Sequence, residues 1–163
     1  MEAAPAERSE TDRVFLVVVD ETREWRAALR FACRRALHTG GRVALFTTSE
    51  PVDFQHWIAV EQAMREERWE EAENRLRAIG EEVLAITGRL PVIHIREGHP
   101  VEELLGLLTS DRAISVLVLA ASTEGGDPGP LIRDLTSRRL GTLRLPMTIV
   151  PGHLSDTEID AIA

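Results

Sequence analysis

Short apolar runs alternate with longer amphipathic segments along the chain. Unbroken runs of Val, Leu, Ile and Phe of this length are typical of strands buried on both faces. They occupy residues 13–20, 43–46, 91–95, 114–119 and 147–150. Between the runs, apolar residues recur three and four positions apart, which predicts helices near residues 23–39, 56–86, 101–108 and 131–140. The alternation of strands and helices predicts an α/β fold with a mainly parallel sheet covered on both faces.

Residues that favour helix ends refine these boundaries. Thr22 stands in an N-cap position before the first helix, Gly40 follows it, and Gly88 follows the second. Ser155 and Glu158 have the spacing of a capping box, which predicts a short helix over residues 156–162. We therefore expect a disordered tail at 1–12, one domain at 13–151, and a C-terminal tail at 152–163 that contains this helix.

Composition narrows the classes of partner and the compartment. The 163 residues include 19 basic and 27 acidic side chains, which give a formal charge of −8. This balance argues against broad contact with nucleic acid. No apolar run reaches the ~18 residues that would span a bilayer, and no secretory signal pattern is visible at the start. The single cysteine, Cys33, excludes an internal disulfide and fits a reducing compartment, so we expect a cytoplasmic protein.

Several catalytic classes lack their residues. The chain has no lysine and no tyrosine, no Gly-x-Ser-x-Gly nucleophile elbow and no Gly-x4-Gly-Lys phosphate loop. Its five histidines are scattered and do not have metal-ligand spacing. Cys33 is predicted to be inert packing, and Trp57 and Trp69 are predicted to pack in the core along the second helix. We expect a protein that is not an enzyme.

Ligands of such sheets bind beyond the carboxyl ends of the strands, where the strand order reverses. The residues directly after each strand are therefore the candidates for a site. They are Asp20, Thr47 to Glu50, Glu97 and Gly98, and Ala120 to Pro130.

The order of these elements resembles a universal stress protein domain over about residues 13–151. A buried strand ends in Asp20 before an alanine-rich helix, and a long charged helix follows the second strand. Residues 97–100 (EGHP) resemble the family's turn before the third helix, and residues 145–150 (LPMTIV) resemble its last strand. The resemblance implies a five-stranded doubly wound sheet in the order 3-2-1-4-5 and a homodimer formed through strand 147–150. It also implies that Asp20 contacts a nucleoside; the alternative is that Asp20 caps the following turn. Thr47 is either a pocket residue or a polar strand end.

The glycine segment with which the family binds phosphate is absent in register. Ala120, Thr123 and Arg133 stand at its three glycine positions, where a Cβ keeps backbone N–H groups away from phosphate. Three shifted glycines, Gly125, Gly126 and Gly129, precede Pro130, with Gly129 as a candidate N-cap. They either present N–H groups to an anion or simply turn the chain.

Arg133 has two opposed interpretations. It either pairs with Asp20 or Asp127 and fills the phosphate position, which we favour, or it grips a bound phosphate. The sequence thus predicts a non-catalytic regulatory protein of the stress response with a degenerate nucleotide crevice and no cofactor. The alternative is an ATP-binding protein that uses the Gly125–Gly129 loop, and a third interpretation is an enzyme of a related adenine-nucleotide superfamily. The sequence does not indicate which protein, if any, is the partner.

Overall fold

The computed structural model describes residues 12–51 and 58–163. Almost all of the tail predicted at 1–12, and the helix start predicted at 56 with Trp57, lie outside these residues. The strands are β1 (Val14–Val18), β2 (Arg42–Ser49), β3 (Val92–Glu97), β4 (Ile114–Ala121) and β5 (Met147–Pro151). The helices are α1 (Trp25–Thr39), α2 (Ile58–Thr87), α3 (Pro100–Ser110), α4 (Pro130–Asp134) and α5 (Asp156–Ile162). A π-helical turn, Leu135–Arg139, and a 3₁₀ turn, Leu140–Thr142, continue α4.

The five strands form one parallel sheet in the order β3-β2-β1-β4-β5, which confirms the predicted topology. Leu16 of β1 lies opposite Ala44 of β2 on one side and Leu117 of β4 on the other. The chain therefore leaves β1 and β4, two neighbouring strands, toward opposite edges of the sheet. This reversal opens a crevice beyond their carboxyl ends.

Alternate residues of β1 enter different layers of the core, because successive side chains of a strand point to opposite faces. Phe15 and Val17 pack against α1, α2 and α5 on one face. Leu16 and Val18 pack against α3 and the helix after β4 on the other. A sheet buried on both faces explains why its strands are continuous apolar runs and do not alternate with polar residues.

Helix α1 begins at Trp25, two residues later than an N-cap at Thr22 would require, so that prediction is wrong. Thr22 instead donates to the carboxylate of Asp20 through its N–H at 2.9 Å and its hydroxyl at 2.5 Å. This local turn competes with the helix for the same backbone. The predicted end is confirmed, since Gly40 has φ +67° and its N–H bonds the carbonyl of Ala36.

Only the second half of α2 belongs to the core. Its buried residues are Leu76, Ile79, Gly80 and Val83. The 30 residues of α2 span about 45 Å at 1.5 Å per residue, whereas the eight residues of β2 span only about 26 Å. The first half of the helix therefore extends beyond the carboxyl edge of the sheet. Trp69 lies in this half, outside both core clusters, and its Nε1 donates to Glu73 at 3.1 Å, so its predicted core position is wrong.

The C-terminal helix α5 is attached to α1. The predicted capping box is present, with Ser155 and Glu158 bonding each other's backbone N–H groups. Ile159 is completely buried against the α1 face of the core. Asp160 accepts two hydrogen bonds from Arg30, at 2.8 and 2.6 Å, which lower the pKa of Asp160 and raise that of Arg30.

Cys33 lies on the buried face of α1, as predicted. Its side chain has no exposure, and burial raises the pKa of the thiol to about 12. The thiolate that reacts with oxidants and metals is therefore not formed at neutral pH. Within the described residues, no helix is both long and apolar enough to cross a membrane.

Candidate functional site

A crevice of about 790 Å³ lies beyond the carboxyl ends of β1, β2 and β4. Its floor is formed by strand residues such as Val18, Phe46 and Leu119. Its walls are the turn after β1, the first half of α2, and the loop that leads from β4 into α4. A concave site of this size at the reversal of strand order is where α/β sheets bind ligands.

Asp20 lies at the rim of this crevice. Its carboxylate accepts both hydrogen bonds from Thr22, so the turn-capping role proposed for it is the contact that the structure shows. The side chain is nevertheless exposed and lines the crevice. A second lone pair of the carboxylate thus remains available to a ligand.

Thr47 and Ala120 line the crevice from β2 and β4. The hydroxyl of Thr47 donates to the carbonyl of Val19 at 2.8 Å, and the side chain is only 8% exposed. This bond satisfies the carbonyl of Val19, directly after β1, and holds the ends of β1 and β2 together. The methyl group of Ala120 narrows the approach of a ligand to the backbone of β4, which a glycine would leave open.

The loop after β4 is closed by its own hydrogen bonds. The N–H of Ser122 donates to the carbonyl of Pro128 at 3.1 Å. The carboxylate of Asp127 accepts from the N–H of Gly129 at 3.0 Å and from the guanidinium of Arg133 at 2.6 Å. As expected for an N-cap glycine, Gly129 precedes Pro130 at the start of α4, with φ +111°. An internal carboxylate therefore already binds the donors that the sequence suggested for a phosphate.

Three of the candidate residues do not line the crevice. Arg133 pairs with Asp127, as one of the expectations had it, but both side chains are more than half exposed and neither lines the crevice, so Arg133 does not fill the phosphate position. Gly126, with φ +74°, has open space around it. Gly98, with φ +141°, lies in the turn after β3, where its N–H donates to the carbonyl of Ser49 and Glu103 packs against it. The positive φ explains why this turn requires glycine.

Sequence reasoning missed the wall that α2 contributes. Arg68 and Glu71 face the crevice from the overhanging half of the helix, and Arg75 faces it from the beginning of the second half. Arg75 donates to the carboxylate of Glu21 at 2.9 Å and to the carbonyl of Asp20, while Arg68 donates to the carbonyl of Glu50 at 3.3 Å. Their spacing of three and four residues placed them on one helix face, but the face looked like an ordinary solvated surface.

Trp25, also missed, forms part of the crevice at the start of α1. Its side chain is 6% exposed, and the guanidinium of Arg75 lies 5.9 Å from its ring centroid, within cation–π distance. The ring therefore anchors Arg75 and offers little free surface to a ligand.

The crevice is predominantly acidic. Among the residues that the structure describes, five carboxylates line it against two arginines, Arg68 and Arg75. Hydrogen bonds from backbone N–H groups, chiefly that of Glu24 itself, and from the side chain of Thr22 lower the pKa of Glu24. Its carboxylate therefore stays charged at neutral pH. Field lines concentrate in such clefts, so the interior favours cations over anions. The acidic residues are Asp20, Glu21, Glu24, Glu50 and Glu71.

Over the described ranges 12–51 and 58–163, no three His, Cys, Asp or Glu side chains are grouped so that they would hold a metal ion. The carboxylates of the crevice are therefore spread along its walls and do not converge on one point.

Comparison with known proteins identifies the family. The model of the universal stress protein family matches residues 13–151. The chain belongs to this family. Helix α5 lies beyond the matched residues. No curated protein sequence matches the chain significantly.

Solved universal stress proteins share this fold at low sequence identity. UspA from Lactobacillus plantarum has a TM-score of 0.70 and 15% identity, covering 85% of this chain and 97% of that one. A universal stress protein from Archaeoglobus fulgidus in complex with dAMP has a TM-score of 0.55 and 16% identity over 85% and 97% of the two chains. A universal stress protein in complex with cAMP has a TM-score of 0.60 and 17% identity over 85% and 96%.

Proposed function

We propose that the protein is a non-catalytic regulator of the stress response whose crevice does not bind ATP tightly. The observation that carries this proposal is the charge of the crevice wall, where five carboxylates outnumber two arginines among the described residues. A triphosphate brought into this space meets like charges at close range. Like charges in a partly enclosed site repel more strongly than in bulk water, because the effective dielectric constant is lower.

Both arginines of the wall are already occupied. Arg75 is bound by Glu21, by the carbonyl of Asp20 and by the face of Trp25, and Arg68 is bound by the carbonyl of Glu50. A phosphate would have to displace these acceptors before either guanidinium became available. The arginines therefore hold the crevice walls together and offer little binding energy to an anion.

The loop after β4 supports the same conclusion. Asp127 accepts the N–H of Gly129 and the guanidinium of Arg133, so a carboxylate of the chain takes the place of an anionic ligand there. Each charged hydrogen bond that a phosphate fails to form removes about 1.5–3 kcal/mol of binding energy, and 1.4 kcal/mol is about tenfold in affinity. We expect a Kd for MgATP weaker than about 100 µM.

The alternative function is nucleotide binding through the shifted glycine loop. It is supported by the two solved relatives described as complexes with dAMP and cAMP. It is also supported by the loop itself, since Gly125, Gly126 and Gly129 all have positive φ and open space beside them. In that case Asp127 would have to turn away to release its donors.

Calorimetry with MgATP tests the proposal, with Glu71→Gln as the informative variant. Glu71 lines the crevice, whereas the adjacent Glu70 is exposed and does not, so Glu70→Gln is the matched control. We expect weak binding by the parent, a gain of affinity in Glu71→Gln and no change in Glu70→Gln. Low-micromolar binding by the parent would establish the alternative, and equal affinities of the two variants would refute the electrostatic argument.

Arg133→Gly separates the two functions further. If nucleotide binds through the loop, loss of the guanidinium lowers the affinity at least about tenfold, the effect of one charged hydrogen bond. If the crevice is degenerate, the variant leaves the weak affinity unchanged, because Arg133 lies outside the crevice lining. Mass spectrometry of small molecules released from the purified protein would show directly whether a nucleotide accompanies it.

We also propose that the protein acts as a cytoplasmic homodimer joined along β5. This strand is an edge of the sheet formed by residues 12–51 and 58–163, in which it pairs only with β4. Ile149 in its centre is 40% exposed. Natural proteins cover or pair such edges, because free strand donors and apolar side chains promote association. The buried Cys33 fits a reducing compartment.

A further inference from the structure

A second pocket, of about 560 Å³, lies at the amino-terminal edge of the sheet, opposite the crevice. This basic pocket is bounded by Arg13, Arg35, Phe15, Phe31, Thr148 and Ile162. It opens between α1, the last turn of α5 and the first residues of β1, β4 and β5. Its volume falls in the range of about 300–1,000 Å³ that small-molecule sites occupy.

The charge of the basic pocket is opposite to that of the crevice. Two arginines line it, and none of the residues described around it is Asp or Glu. On α1, Arg26 pairs with Glu82, and Arg30 and Arg34 pair with Asp160.

Arg35 differs from these neighbours on the same helix. It is half-buried, and it forms no ion pair within residues 12–51 and 58–163. A half-buried guanidinium without a carboxylate is less stable than a paired one, because it has lost part of its hydration without compensation.

The rest of the lining combines apolar side chains with two hydroxyl residues, Ser115 and Thr148. Phe31, which is partly exposed, presents aromatic carbon from α1, and Ile162, at 65% exposure, forms the opposite rim; Phe15 is only 4% exposed and closes the base of the wall. An apolar body lying on these side chains would leave water, while its charged end reached the arginines. Sites that combine an apolar wall with one or two convergent charged groups select ligands of the same composition.

We infer that the basic pocket binds an organic anion with an apolar body, such as a hydrocarbon carboxylate. The carboxylate accepts hydrogen bonds from the guanidinium of Arg35, assisted by the charge of Arg13, and the hydrocarbon covers Phe31 and Ile162. The planar fork of arginine matches the two oxygens of a carboxylate. This site is separate from the crevice and does not depend on whether the crevice binds a nucleotide.

Calorimetry with octanoate, octanol and octylammonium tests this inference on the full chain. The three probes share one hydrocarbon chain and differ in the charge of the head. We expect octanoate to bind with a Kd of about 1 mM or tighter, in keeping with its small size. We expect octanol and octylammonium to bind at least about tenfold more weakly, because the octanol hydroxyl is an uncharged single acceptor and the ammonium group has no acceptor for arginine.

Two variants locate the binding. Arg35→Gln removes the half-buried charge, and Ile162→Glu places a carboxylate at an exposed rim position where it does not disturb the core. Each lowers octanoate affinity at least about tenfold. Arg112→Gln, at an exposed arginine that also lacks an ion pair with the described residues, is the control and leaves affinity unchanged. Octanol binding as tightly as octanoate, no octanoate binding at millimolar concentration, or an unaltered affinity in Arg35→Gln would each overturn the inference.

Discussion

Replacing Ile159 by alanine tests whether α5 is an integral part of the domain. Ile159 has no exposed surface, and it joins the core cluster formed by β1, α1 and α2. Truncation of a fully buried isoleucine to alanine removes apolar contacts and leaves a cavity, which lowers the free energy of unfolding by about 2–5 kcal/mol. For a domain of this size, that corresponds to a fall in Tm of roughly 4–20 °C.

The loss of unfolding free energy in Ile159→Ala has an upper limit, which is the free energy with which α5 docks on the domain. If α5 leaves the surface when Ile159 is truncated, the chain loses only the docking free energy of α5. The Arg30–Asp160 bonds at 2.8 and 2.6 Å and the bond between His38 and the carbonyl of Ala163 at 2.8 Å oppose this release. We therefore expect α5 to stay docked and the loss of unfolding free energy to remain about 2–5 kcal/mol.

Urea unfolding followed by circular dichroism measures the effect, with Ile162→Ala as the matched control. Ile162 lies on the same helix and is 65% exposed, so its truncation changes stability by less than about 0.5 kcal/mol. If Ile159→Ala were as stable as this control, α5 would not be docked as described, and the packing argument would fail.

Three further predictions follow from single residues. Cys33, with its pKa raised to about 12 by burial, should not react with dithiodipyridine at pH 7 in the native protein and should react completely in urea; rapid native labelling would contradict its burial. The carbonyl of Pro146 accepts a hydrogen bond from β4, and the backbone groups of successive strand residues point to opposite sides, so the N–H of Ile149 points away from β4. Ile149→Pro removes this free donor and should convert the proposed dimer to a monomer in light scattering, whereas Ile149→Val should not. Desolvation lowers the pKa of His94 despite Asp111 at 3.8 Å, so the unfolded state takes up the proton first as pH falls below about 6.5. Stability should therefore decline below that pH, less steeply in His94→Gln, and identical pH profiles would refute this assignment.

The fold could be predicted because its strands are continuous apolar runs, and because glycine at positive φ ends α1 where the pattern stops. The start of α1 could not be predicted, because Thr22 can either cap a helix or hydrogen-bond to Asp20. In the structure it bonds to Asp20. The position of Trp69 could not be predicted either. Apolar spacing shows which side chains of a helix share one apolar face. Only a comparison of the lengths of α2 and β2 shows that about half of this face extends beyond the sheet.

The candidate site was predicted in outline only. The rule that ligands lie beyond the carboxyl ends of parallel strands places Asp20, Thr47 and Ala120 at the crevice. It does not reveal Arg68 or Arg75, which reach the crevice from a helix more than forty residues away from Asp20 along the chain. Nor does it show that the Asp127–Arg133 pair lies outside the crevice lining.

The two pockets give the molecule an electrical polarity along its strands. Carboxylates concentrate where β1 and β4 end, and the arginines of the basic pocket lie where these strands begin. A molecule with such a charge separation adsorbs in one preferred orientation on a charged support. A cationic sensor surface would hold it by the crevice end and leave the basic pocket facing the solution, while an anionic surface would do the reverse. The choice of support therefore decides which of the two pockets an immobilised sample presents to its ligands.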